Sequence, residues 1–243
     1  MGLVGRNGAG KTTIIKAILN MIRLSGGSVA VFGQDHLQAE REIKARIGVV
    51  MDYTFFVESW TLNAVERAVA PFYPAWDTEA YWKLLKKFSL NPSSKFGDLS
   101  RGMKMKLTTA VALSHGPDLL ILDEPTSGLD PVVRDELLEI LHNYMSGGNR
   151  GVLFSTHITS DLEKIADYIT FIDDGRIMAT RPADDFLLVH SALNSVVLKN
   201  GDSSSIINIP SKALSGYNYC FWGKTWAKRN LKSFPSAGWA SSA

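Results

Sequence analysis

Gly5-Arg6-Asn7-Gly8-Ala9-Gly10-Lys11-Thr12 is the stretch that decides how this chain is read. It fits the pattern G-x-x-x-x-G-K-[ST] and lies between apolar Leu3-Val4 and a helical pattern from Thr12 to Met21, with Ile14, Ile15, Ala17, Ile18 and Met21 as candidate buried positions. Strand, glycine-rich loop and helix in that order predict a phosphate-binding loop. The glycines let the backbone turn its N–H groups inward around phosphate oxygens, and the helix N-terminus adds positive potential at the anion. Gly5 to Thr13 are therefore the candidate nucleotide-binding positions. Lys11 is expected to reach the β and γ phosphates, and the Thr12 hydroxyl to hold Mg2+.

A second element lies far along the chain. Leu119-Leu120-Ile121-Leu122 is a continuous apolar run ending in Asp123-Glu124, which reads as a buried parallel strand with two carboxylates at its C-terminal end. In a doubly wound sheet, ligands bind at that end. Asp123 is expected to complete the Mg2+ shell through water, and Glu124 to orient or deprotonate an attacking water.

Leu99-Ser100-Arg101-Gly102-Met103 lies between these elements, and Ser127-Gly128-Leu129-Asp130 and Ser155-Thr156-His157 follow them. The set, in this order over roughly residues 1 to 200, resembles the ABC ATPase family. There the first segment, written LSGGQ, is the signature motif, the second is the D-loop, and the histidine is the switch residue. The resemblance implies an α/β, P-loop NTPase (RecA-like) fold: a mostly parallel sheet with an inserted helical subdomain at about 55–116. It implies ATP and Mg2+ as ligands, and Glu124 and His157 as catalytic residues, with His157 sensing the γ-phosphate. It further implies a head-to-tail dimer in which Ser100 and Gly102 of one subunit face the ATP held by the other, with Asp130 at that boundary. Ser100 also suits an N-cap, ahead of a helix with Met103, Leu107, Ala110 and Val111 as its buried stripe.

The resemblance points to a subunit that powers solute export through separately encoded membrane-spanning subunits, lying on the inner, cytoplasmic face of the cell membrane. A groove near residues 52–76, with aromatics Tyr53, Phe55, Phe56 and Trp60, is the implied docking place for such a partner; ordinary core packing accounts for the aromatics equally well. Two other functions compete: a soluble ABC ATPase acting on ribosomes or DNA, and a cassette with impaired ATPase activity. Known soluble members split the two ATP motifs with a coiled coil or carry two cassettes, whereas this cassette is single and continuous.

Three departures stand out. Asp52 occupies the place where most members carry a glutamine that senses Mg2+ and the membrane subunit. A carboxylate can approach Mg2+ or a water but cannot donate amide hydrogen bonds. Arg101 and Met103 replace glycine and glutamine in the signature; with Phe72-Tyr73-Pro74-Ala75-Trp76-Asp77 they resemble a bacterial subgroup with exporter-type membrane subunits. Finally, Met1 falls inside the strand before the loop, so the family's N-terminal antiparallel strands and its adenine-stacking aromatic are expected to be missing. One lost stacking contact weakens binding by roughly 1–3 kcal/mol.

Composition fits this picture. A net charge of +2 from 26 basic and 24 acidic side chains provides no basic field for nucleic acid, so no nucleic acid is expected as a partner. The single Cys220 rules out an internal disulfide framework. No run approaches the ~20 apolar residues of a membrane span, and the start lacks the pattern of a signal peptide. Central strands are expected near Ser28 to Phe32, Ile47 to Met51, Leu119 to Asp123, Val152 to Ser155 and Tyr168 to Ile172, with helices over Thr61 to Ala70 and Asp77 to Phe88. Asp174-Gly175 reads as a hairpin turn. From Gly201 to Ala243 the chain carries nine serines and basic residues interleaved with aromatics, without sustained periodicity. It reads as a loose tail or, alternatively, a membrane-surface segment.

Overall fold

The computed structural model describes residues 1–51 and 56–185. Asp52, Tyr53 and Phe55, and the tail 201–243, lie outside the described residues. The chain opens with β1 (Gly2–Val4) and α1 (Lys11–Ile18), followed by β2 (Ala30–Val31), β3 (Gln34–Asp35), α2 (Glu40–Ala45) and β4 (Ile47–Val50). Three helices come next, α3 (Leu62–Val69), α4 (Thr78–Lys87) and α5 (Arg101–Leu113). The remainder alternates: β5 (Leu119–Asp123), α6 (Pro131–Met145), β6 (Gly151–Thr156), α7 (Thr159–Ile165), β7 (Tyr168–Asp173) and β8 (Arg176–Pro182).

Six strands form one sheet in the order β4-β5-β6-β1-β7-β8, parallel throughout except for the β7–β8 hairpin. Both faces are covered, which is why β5 reads as an uninterrupted apolar run. On one face Leu3, Ile47, Ile121, Leu153 and Ile172 pack with Ile15 of α1 and Ile43 of α2. On the other, a Cβ at Gly48 would come within 2.5 Å of the Ala112 carbonyl of α5, and one at Gly2 within 2.4 Å of Leu162 in α7. Helices α3, α4 and α5 share a core of their own, built on Leu62, Tyr81, Leu85, Phe88, Phe96 and Leu107. Side chains cap their N-termini: Thr61, Asp77 and Ser100 each accept a hydrogen bond from the amide three residues on.

Two expectations need correction. The Ser28 to Phe32 segment supplies no strand of the central sheet; Ala30–Val31 pairs instead with Gln34–Asp35 in a separate two-stranded ribbon. The chain reverses between them at Phe32 and Gly33, both with positive φ. The first helix also ends at Ile18, so Met21 is exposed rather than buried. The Asp174-Gly175 turn has positive φ at both residues, the backbone of a two-residue hairpin that matches strand twist.

His115, assigned no role from sequence, is buried just after α5. Its Nε2 donates to the Ile47 carbonyl at 3.2 Å, and its ring stacks on Tyr73 with centroids 4.0 Å apart. Burial lowers its pKa, opposed by the carbonyls of Ile47 and Val111. As pH falls below about 6.5 the unfolded chain therefore takes up this proton before the folded one does, and stability declines by at most about 1.4 kcal/mol per pH unit until the folded pKa is passed. Urea titrations across that range are expected to show this decline, with a shallower slope in His115→Gln. Phe154, 1% exposed in the middle of the sheet, gives a second expectation: Phe154→Ala destabilises by about 3–5 kcal/mol in the same assay.

Candidate nucleotide site

The sheet order places β1 between β6 and β7 and brings three chain segments to one edge. The loop after β1 carries Lys11, the end of β5 carries Asp123 and Glu124, and the end of β6 carries Ser155 and His157. They meet in a cleft of about 370 Å³ lined by Asn7, Gly8, Gly10, Lys11, Thr12, Thr13, Glu124, Ser127 and His157. A cleft of about 430 Å³, lined by His142, Arg150, Glu163 and Asp167 among others, lies at the opposite ends of α6 and α7. Open α/β sheets bind ligands at the C-terminal ends of their strands, which selects the first cleft.

The loop owes its shape to glycines where side chains cannot go. Gly8 and Gly10 have φ of 83° and 107°, and a Cβ on Gly5 would come within 2.3 Å of the Ile172 carbonyl. The β7–β8 turn supports the loop from outside, the Gly175 amide donating to the Ala9 carbonyl at 2.9 Å. Gly10 precedes helix α1 as its N-cap with no side-chain cap, which leaves the first amides of the helix for an anion. Lys11 is 5% exposed, and its Nζ donates to the carbonyls of Gly5 at 2.8 Å and Arg6 at 3.2 Å. It also lies 3.0 Å from Glu124 Oε1, an ion pair without hydrogen-bond geometry.

Asp123 is buried and fully engaged: Thr12 Oγ1 donates to Oδ2 at 2.7 Å and Ser155 Oγ to Oδ1 at 2.6 Å. A hydroxyl and a carboxylate held this close are hard oxygen donors. They suit Mg2+, which takes one or two protein oxygens and completes its shell with water and phosphate. No group of three or more histidine, cysteine or acidic side chains able to cage a metal occurs among the described residues. Thr12 and Asp123 thus fit the ion, whereas Asp52 lies outside the described residues.

Glu124 is the strained member. Its φ of 49° is left-handed, a conformation that costs a non-glycine residue about 1–3 kcal/mol and persists where surrounding contacts impose it. Those contacts are present: the Glu124 amide donates to the Ser155 carbonyl at 3.1 Å and to Ser155 Oγ at 3.0 Å. His157 Nδ1 lies 2.7 Å from Glu124 Oε2, so the ring donates to the carboxylate.

Ser100, Gly102 and Asp130 do not join this cleft. Ser100 is exposed at the start of α5, its Oγ accepting from the Met103 amide at 3.3 Å; a Cβ on Gly102 would meet Val133 of α6 at 3.3 Å. Exposed Asp130 caps α6 by accepting from the Val133 amide at 3.0 Å. The Arg101 guanidinium packs over Gly128, where a Cβ would come within 2.7 Å of Nη1. Ser155 was missed as a site residue. Its only signal in the sequence was its place on the strand before His157, because its register opposite Asp123 is a tertiary fact.

Comparisons with known proteins bear on the family and the fold. A family model described as ABC transporter matches residues 1–127. The chain is 35% identical over 185 residues to the bacitracin transport ATP-binding protein BcrA of Bacillus licheniformis, covering 75% of this chain and 60% of that one. It is 32% identical over 222 residues to the daunorubicin resistance ATP-binding protein DrrA2 of Streptomyces coeruleorubidus, covering 88% and 69%. It therefore spans about 60 to 70% of the length of these relatives. A solved structure described as the ATP binding subunit of an ABC transporter superposes with a TM-score of 0.70 at 29% identity, over 82% of this chain and 86% of that one. The fold is shared as well with a dimeric ATP-binding cassette bound to ADP and Pi, at a TM-score of 0.65 and 21% identity over 75% and 84% of the two chains. No helix among the described residues is long and apolar enough to cross a membrane. From its phosphate loop through the acidic end of β5, this chain belongs to the ABC transporter family and carries its nucleotide-binding domain.

Proposed function

We propose that this chain binds and hydrolyses ATP, and that it drives solute export through separately encoded membrane-spanning subunits. The observation that carries the proposal is the meeting of Lys11, Asp123, Glu124 and His157 at one sheet edge, Lys11 from a segment more than 100 residues away from the other three. Loop amides from Gly5 to Thr13 hold the phosphates, and Lys11 exchanges its contact with Glu124 for the β and γ oxygens. Thr12 and Asp123 would hold Mg2+, which would supply charge neutralisation at those oxygens. Glu124 orients water at the γ-phosphorus and accepts its proton. As the new P–O bond forms, the bond to the β–γ bridging oxygen breaks, releasing ADP and phosphate. The hydrogen bond from His157 aims the Glu124 carboxylate.

The working unit we propose is a head-to-tail dimer. Ser100 and Gly102 stand at the start of the 13-residue α5, outside their own cleft, and suit the ATP of a second copy or of a related subunit. Asp130 belongs to the same boundary. We propose with it the same domain division: residues 1–200 as the ATPase domain, with the helical subdomain inserted at about 55–116, followed by a C-terminal tail at 201–243. The membrane subunit meets this subdomain at the inner face of the membrane, where Trp60 and Phe72 are exposed, Phe72 by 81%. The bacitracin transport and daunorubicin resistance relatives support a transport role, and a Nod factor export ATP-binding protein of Burkholderia lata, 34% identical over 184 residues, supports export as the direction.

Steady-state Mg-ATPase assays on the purified chain test the reading. Glu124→Gln is expected to lower kcat on the order of 100-fold or more while ATP still binds. Lys11→Ala is expected to lose both binding and turnover. Turnover equal in the parent chain and both variants would mark a contaminant and sink the assignment.

A further inference from the structure

We infer that Thr126 and Asp161 form a positioning clasp that sets the geometry of the Glu124–His157 pair; its catalytic consequence rests on the ATPase reading above. Two segments carry that pair, the chain leaving β5 and the chain leaving β6. They are joined once by His157 and Glu124, at 2.7 Å. They are joined again a few residues further out, where Thr126 Oγ1 donates to Asp161 Oδ2 at 2.7 Å. Thr126 follows Glu124 by two residues, and Asp161 follows His157 by four, in the first turn of α7.

The second link is buried, whereas the first faces the cleft. Thr126 and Asp161 are each 1% exposed. The other Asp161 oxygen is taken by Arg134, whose Nε donates to Oδ1 at 2.6 Å and whose Nη2 pairs with the same oxygen. Arg134 also donates to Ser160 Oγ at 3.2 Å. Arg134 lies on α6, one turn beyond the capping Asp130. One carboxylate therefore ties together the segments that carry Glu124, His157 and Asp130.

A buried carboxylate with both oxygens engaged resists displacement, since moving away leaves a charge or a donor unpaired in a low dielectric. The His157 end of the first link has no such burial, its imidazole being 40% exposed. Glu124 also holds a left-handed backbone that relaxes when its surroundings loosen. The clasp thus determines where the base stands relative to the imidazole. By the same link, a shift of the D-loop in a dimer would be carried to His157.

Thr126→Val keeps the shape of the side chain and deletes the donor; Thr126→Ser keeps the donor. The full chain of each is compared with the parent by NMR of the histidine rings, with His157 assigned from His157→Gln. Displacement of the His157 ring resonances in Thr126→Val, their recovery in Thr126→Ser, and unchanged signals from His36, His115 and His142 are the expected result. Superimposable His157 signals in all three proteins overturn the inference, and so does a shift of every histidine together, which marks a merely structural role. In the ATPase assay Thr126→Val is expected to lose about tenfold in kcat with KM for ATP held within about twofold. A lower Tm with unchanged kcat also overturns it. If Thr126→Val does not fold, Arg134→Gln frees Asp161 from the other side and the same ring signals decide. A parent chain without turnover would defeat the ATPase reading alone, because the ring signals are read without ATP.

Discussion

Asp123 is the point on which the site depends. Its carboxylate is buried and accepts from Thr12 on one oxygen and Ser155 on the other. One side chain at the end of β5 therefore fixes the first turn of α1 and the end of β6 together. Removing either donor would leave a buried acceptor underpaired, a cost of about 1–3 kcal/mol that opposes any drift between these segments. The Thr12 hydroxyl and the Asp123 carboxylate are also the oxygens that fit Mg2+, so the contact that holds the fold at this edge also prepares the site.

From that contact the cleft is assembled outward. Glu124 follows Asp123 directly, and the turn that lifts its carboxylate into the cleft requires a positive φ, stabilised by two hydrogen bonds to Ser155. Lys11 precedes Thr12 and meets Glu124 from the loop side; His157 meets it from the strand side. The glycine loop keeps its shape because Gly5 lies against Ile172 and Ala9 against Gly175, so the β7–β8 hairpin acts as its outer wall. A phosphate loop is thus partly a property of the strand pair beside it.

The helices α3 to α5 obey a different constraint. Their own apolar cluster holds them together, and α5 packs against both that cluster and β4. Ser100 and Gly102, at the exposed end of α5, are kept out of their own chain's cleft by this placement. Under the proposed dimer their ligand is the ATP of a second molecule, and it is the packing of α5 that directs them outward.

The sequence by itself determined what local physics governs. The glycine loop, the Ser100 cap and the Asp174-Gly175 turn each depend on backbone conformation or on hydrogen bonds spanning a few residues, so residue type and spacing suffice to read them. The continuous apolar run of β5 declared its burial on both faces for a similar reason. Only the tertiary structure decided that Ala30–Val31 leaves the central sheet, that Ser155 stands opposite Asp123, that His115 is buried against Tyr73, and that Asp161 reaches Thr126 and Arg134. All but the first of these are contacts across long stretches of chain. Parallel register and helix placement are set by side-chain packing between distant segments, and no local spacing encodes them.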